Sequence, residues 1–173
     1  MNDRKAEIQR RVSMPGYLDR IERLVGSRPD QADVNSPQLA DQLLKDLSEN
    51  IKTAAVSKKV IPFAEKLSRN FSALIEELEL RNPNPVFIWI DATKDCGFVK
   101  PIRLSAFRFG FEFDSIPEGI VALITADVSD EMLLDFETDD QGIEVMTIEL
   151  HGTSWGHVEL DDLWPPTAKR LAK

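Results

Sequence analysis

Residues 120–150 read IVALITADVSDEMLLDFETDDQGIEVMTIEL. Ile120 to Ala126 is a short apolar run of strand length, and Asp127 to Asp130 follows it as a polar loop. Met132 to Glu137 and Ile143 to Leu150 then flank Thr138-Asp139-Asp140-Gln141-Gly142, a polar connection with glycine near its end. Two β-type runs around such a connection predict a hairpin. Three antiparallel strands therefore form the nucleus of a sheet.

Upstream, Val86 to Ile90 (VFIWI) is a further apolar strand, followed by the turn-rich Asp91 to Gly97. Phe107 to Asp114 has the clearest period-2 pattern of the chain. Phe107, Phe109, Phe111 and Phe113 alternate with Arg108, Gly110, Glu112 and Asp114, which predicts a strand with one aromatic face. Ile116-Pro117-Glu118-Gly119 reads as a turn, and His157 to Leu160 as a last short strand.

The first half has helical spacing instead. Residues 3–12 read as a polar helix or tail, and Met14-Pro15-Gly16 as a break. Leu18, Ile21, Leu24 and Val25 then fall on one helical face, with Gly26 as the residue after the helix. Arg28 to Ser36 is a loop. Ser36-Pro37 is an N-cap followed by proline at the first helical position, opening a helix with Leu39, Leu43, Leu47 and Ile51 in a stripe. That helix is expected to reach Val56 or Val60, with Pro62 interrupting it. Phe63, Leu67, Phe71, Leu74, Ile75 and Leu78 predict a second amphipathic helix, stopped by Asn82-Pro83-Asn84-Pro85. Helices followed by strands give an α+β class: N-terminal amphipathic helices packed on one face of a C-terminal, mainly antiparallel sheet. The expected organisation is one domain over residues 1–173, with a helical half at about 17–81, an acidic β half at about 86–164 and a mobile tail at 165–173.

Charge divides the chain in the same place. Residues 1–85 carry 14 Lys and Arg against 13 Asp and Glu, and residues 86–173 carry 7 against 17. The 60 residues from Phe109 to Ala168 contain no lysine or arginine and 15 acidic residues. A folded surface of one sign attracts cationic partners and repels nucleic acid and anionic membrane. No apolar run approaches 18 residues, which excludes a transmembrane helix. The charged MNDRKAEIQRR start lacks an apolar segment behind it, so no secretory signal is expected, and Cys96 has no second cysteine to pair with. Together these point to a reducing cytoplasm, bacterial in style.

Candidate catalytic patterns fail on spacing. Gly152-Thr153-Ser154-Trp155-Gly156 fits the nucleophile-elbow pattern, but no histidine follows His157 and the acidic stretch after it is too short for the required helix. It reads better as a glycine-flanked turn in which Trp155 caps the core. His151 and His157, with Glu149, Glu159 and Asp161, share parity and would form a metal site only if the intervening turn kept register. Two turn-flanking histidines are the simpler reading, and no metal or cofactor is assigned. Cys96, beside Asp95, reads as a structural thiol. The dense aspartates lack the glycine and glutamate positions of an EF-hand, and no phosphate-binding glycine motif occurs.

A non-enzymatic binding protein is therefore expected, with a basic protein partner. Asp127, Asp130, Glu131, Asp135, Glu137, Asp139, Asp140 and Glu144 are the candidate partner-binding residues, and Trp155 or Trp164 the candidate aromatic anchors. Immunity against a cationic toxin, in particular a nuclease, suits such an inhibitor, because a phosphate-binding active site is basic. The alternatives are a secretion chaperone or adaptor protein, and a small hydrolase or metal-dependent enzyme using the His151–His157 region.

Overall fold

The computed structural model describes residues 2–165, with side chains from Arg4 onward. Five antiparallel strands form one sheet: β1 (Val56–Pro62), β2 (Val86–Trp89), β3 (Ile120–Thr125), β4 (Asp130–Thr138) and β5 (Glu144–Gly152), in spatial order β1-β5-β4-β3-β2. The helices are α1 (Asn2–Val25), α2 (Pro37–Ile51), α3 (Arg69–Arg81) and the single turns α4 (Thr93–Cys96) and α5 (Leu160–Leu163). The α+β class and the helix-then-strand order are as the sequence predicts.

Period-2 patterning sets the two sheet faces. Met132, Leu134 and Phe136 of β4 and Met146, Ile148 and Leu150 of β5 enter the main core with Val121 and Leu123 of β3. Helices α1 and α3 cover this inner face through Tyr17, Ile21 and Leu24, and through Phe71, Leu74 and Leu78. Helix α2 crosses the other face. Its Ala40 and Leu47 pack on Ala122 and Ile124, with Phe87, Trp89 and Leu133 beside them. Cover on that outer face is therefore concentrated over β2, β3 and the near side of β4.

Several local expectations are corrected. Helix α1 runs straight through Met14-Pro15-Gly16. Proline in a helix interior removes one hydrogen bond and costs about 3 kcal/mol. Here Pro15 and Gly16 lie on the exposed side, where the freed carbonyl meets water, while Met14, Tyr17 and Leu18 are buried. The first turns are also tied down: the Arg10 guanidinium donates to the Asn35 carbonyl at 2.9 Å. The Ser36 cap forms as predicted, accepting from the Leu39 amide at 3.2 Å. Its helix, however, stops at Ile51, and Val56–Pro62 is the edge strand β1, paired with β5 from Val56↔His151 to Pro62↔Val145. The half read as helical thus supplies one strand of the sheet. Lys58, Lys59 and Pro62 on that edge oppose further strand addition. Phe63–Leu67 is a 3₁₀ turn rather than the start of the helix, which begins after the Ser68 cap.

Phe107 to Asp114 is no strand. It is an irregular crossing with a turn at Phe109 and Gly110, running from the 3₁₀ turn Leu104–Ala106 into the 3₁₀ turn Phe113–Ser115. Its alternation is still meaningful, because the rings face inward: Phe63 meets Phe111 at 5.8 Å and Phe113 at 5.1 Å, and Phe71 meets Phe109 at 4.9 Å. The segment after β5 forms a 3₁₀ turn at Trp155–His157 and then α5, not a final strand. Pro165 is exposed, while the rest of the expected tail, 166–173, lies outside the described residues.

Candidate functional site

The eight acidic candidates separate into two groups. Asp127, Asp130 and Glu131 sit at the start of β4, and Asp135, Glu137, Asp139, Asp140 and Glu144 at or near the β4–β5 hairpin. The ends of this strand are roughly 25 Å apart at the usual rise per residue. The eight candidates are therefore spread along the strand rather than gathered at one point.

Asp130 is not a surface group. It is fully buried. Its Oδ1 accepts from the Ser154 and Trp155 amides at 2.7 and 2.8 Å, and its Oδ2 accepts from Asn82 Nδ2 at 2.7 Å with the Ser129 hydroxyl at 3.0 Å. This carboxylate joins β4, the segment after β5 and the end of α3. It also explains the G-x-S-x-G pattern. Gly152 has φ +119°, and a Cβ there would stand 2.4 Å from the Ser129 carbonyl oxygen, while a Cβ at Gly156 would stand 2.0 Å from that of Ala55. The glycines are required by close backbone packing. Trp155 is fully buried with its indole N–H donating to the Leu78 carbonyl at 2.9 Å, and Trp164 is buried against Phe71. Neither tryptophan offers an exposed anchor.

Asp127 is exposed but occupied, accepting from Asn84 Nδ2 at 3.0 Å and sharing the single Ser129 hydroxyl proton, 2.9 Å away, with Asp130. Partial burial pushes its carboxyl up, and hydrogen bonds from Thr125, Ser129 and Asn82 outweigh that and leave it below its ordinary value. It stabilises a tight turn in which Val128 has φ 52°. Asp139 is likewise a turn residue: its Oδ1 accepts from the Gln141 and Ile143 amides, both at 2.9 Å.

Glu131 and His151 occupy the outer face of the sheet. The register places Glu131 opposite His151, which lies opposite Val56. His151 Nε2 is 3.4 Å from Glu149 Oε2, and Glu149 is also paired with Lys58. Burial raises the Glu131 carboxyl above its ordinary value, whereas the Lys58 hydrogen bond lowers Glu149. His157 is elsewhere, lining a cleft with Ala73, Glu77 and Arg81 of α3. The turn does not keep the register that a shared metal site would need, and among the described residues no three His, Cys, Asp or Glu side chains are grouped to hold a metal. Cys96 is fully buried, and burial, with the Asp95 charge behind it, pushes its thiol up to about 11.

What remains at the hairpin end is open. Asp135 and Glu137 project from the outer face opposite Thr147 and Val145, and Asp140 sits in the exposed turn. Among the described residues none of these three has an ion-pair partner, unlike Glu149 with Lys58 or Glu118 with Arg20. Beside them stand Val60 and Ile143, 55% and 49% exposed. Glu144 lies opposite Thr138 on the other face of the sheet, where its charge is felt by Lys66. The sequence points to Trp155 and Trp164 as anchors and not to Val60, whose setting on the outer face depends on its being in β1 rather than in the expected helix. Compared with known proteins, the chain matches no family model, and no curated protein or solved structure matches it.

Proposed function

We propose that the chain is a protein-binding inhibitor whose outer sheet face, at the β4–β5 hairpin, takes a basic protein partner. The carrying observation is the set Asp135, Glu137 and Asp140: three acidic side chains without ion pairs among the described residues, next to exposed Val60 and Ile143. Exposed apolar residues beside unpaired carboxylates, with Lys58 on the same face already paired with Glu149, fit a partner with an apolar contact inside a Lys/Arg-rich rim. A second copy of the chain would bring like charges together, which disfavours self-association. Most apolar side chains of α1, α2 and α3 are taken up in the protein's own core, with Leu39 of α2 left 49% exposed, which favours this reading over a chaperone or adaptor that presents a whole apolar helix face. Among the described residues no helix is long and apolar enough to cross a membrane.

The finer form of the proposal is a cytoplasmic immunity protein that neutralises a cationic toxin, in particular a nuclease. Affinity capture from the source cell, with the natural chain and an Asp135→Lys/Glu137→Lys/Asp140→Lys variant as parallel baits, tests it. A basic partner held by the first bait and lost from the second is expected, with an association rate that falls as salt rises. A partner that binds both baits equally, or that associates at a salt-independent rate, rejects the proposal. Loss of the partner's nuclease activity on adding the chain would support the finer form.

A further inference from the structure

Lys66 is the one lysine or arginine among the described residues that is buried, with 8% of its surface exposed. A lysine this buried is ordinarily paired. Among the described residues, however, Lys66 has no ion pair and no hydrogen-bond partner. Its Nζ stands 3.9 Å from the centre of the Phe63 ring and 5.5 Å from that of Phe111. Ring faces attract a cation but satisfy none of its N–H donors as an oxygen would. Burial lowers the affinity of the amine for its proton, and the nearby Glu144 only partly opposes this.

The same lysine lines a groove of about 350 Å³ between α3 and the aromatic crossing segment. The floor is Phe71, Ile75, Phe107 and Phe109, and the exposed Leu67 stands on its rim. The lining combines this aromatic floor with Lys66 and with the polar Ser72 and Ser105, a mixture suited to an amphipathic small molecule. The groove is also far in character from the acidic face: its wall carries the cation that lacks a counter-ion. Glu76 also lines the groove, but it is exposed and screened by water.

We propose that this groove binds a small amphipathic carboxylate, its apolar body lying on Phe71, Phe107 and Phe109 and its carboxylate pairing with Lys66. The Nζ is not sealed from solvent, so the ligand's carboxylate would take the place of water there, giving a charge-assisted hydrogen bond beside apolar walls. The site stands independently of the partner-binding proposal, since it lies on other elements and uses charge of the opposite sign.

Calorimetric titration of the full chain with decanoate and with decan-1-ol separates the charge from the apolar body. Decanoate should bind about tenfold more tightly than the alcohol, the scale of one charge-assisted hydrogen bond. In Lys66→Met, which keeps the stem and removes the charge, that preference should fall to within about twofold. In the natural chain decanoate should also slow acetylation of Lys66, read by peptide mass spectrometry, and this measurement stands even if the variant fails to fold. Equal affinity for acid and alcohol, a preference that survives Lys66→Met, or unchanged acetylation each overturns the proposal.

Discussion

The two ends of β4 use the same residue types for opposite purposes. At its start, Asp130 is fully buried and held by two backbone amides, the Asn82 amide and the Ser129 hydroxyl. At its far end, Asp135 and Glu137 face solvent with no ion pair among the described residues. Acid density alone does not separate these roles; burial and partners do. A carboxylate with its donors filled by the fold has nothing to offer another protein. One surrounded by water and apolar neighbours keeps its charge for an encounter.

The contrast is most easily broken at Asp130. Its replacement by alanine leaves the Ser154 and Trp155 amides and the Asn82 side chain without their acceptor. Destabilisation of about 3–5 kcal/mol is expected in urea unfolding, with Asp130→Asn milder because it keeps one oxygen. A loss below 1 kcal/mol would mean that water replaces the carboxylate freely, and the two ends of the strand would then not differ.

Charge reversal at the other end should do the reverse. Asp135→Lys/Glu137→Lys/Asp140→Lys should leave stability within about 0.5 kcal/mol per site. Association with a basic partner should slow about 10–100-fold at low salt, as stopped-flow mixing would record, with a much smaller change in dissociation. A variant that unfolds would place these carboxylates with Asp130 as structural groups.

The sequence made the sheet legible where alternation and ladder coincide, as in β3, β4 and β5. It misled where one occurred without the other. Phe107, Phe109, Phe111 and Phe113 alternate because every second ring packs on the core along an irregular, turning segment, yet no neighbouring strand pairs with them. Periodicity reports where side chains go and says nothing of where amides bond. β1 failed in the opposite way. Of its seven residues only Ile61 is buried, so its pattern resembles the polar end of a helix. The acidic surface was visible as composition. Its division into a buried clamp, turn residues and free carboxylates depended on cross-strand register and on contacts from Asn82 and Trp155, which lie 48 and 25 residues from Asp130 in sequence. The two glycines of the G-x-S-x-G pattern match a chemistry the fold does not assemble, whereas packing accounts for both.

A finer cut runs between neighbours. Asp139 accepts two turn amides, whereas Asp140 is exposed in the same turn. Asp139→Ala should cost about 1 kcal/mol and Asp140→Ala less than about 0.5 kcal/mol in the same unfolding assay. Equal costs would show that the turn is held by its backbone alone. Only Asp140→Ala should slow partner association without a change in stability.

Glu131 sits between these extremes, and pH is the way to read it. Burial raises its carboxyl in the folded chain, so over the window just above the ordinary glutamate value the folded state holds a proton that the unfolded state has lost. Stability from this residue therefore falls as pH rises through that window, and the penalty is full above the folded value. Glu149, lowered by Lys58, runs the other way: its contribution is present above the ordinary value and lost as pH falls through the folded one. Glu131→Gln should thus be slightly more stable than the natural chain at pH 7, with the gain vanishing below the ordinary glutamate range, whereas Glu149→Gln should be less stable at pH 7. His151, facing both carboxylates, should temper the gain, because its positive charge favours ionised Glu131 whenever the imidazole is protonated. A gain at pH 7 that persists unchanged in acid would assign the effect to packing instead, and would leave Glu131 among the residues the fold tolerates rather than those it strains to keep charged.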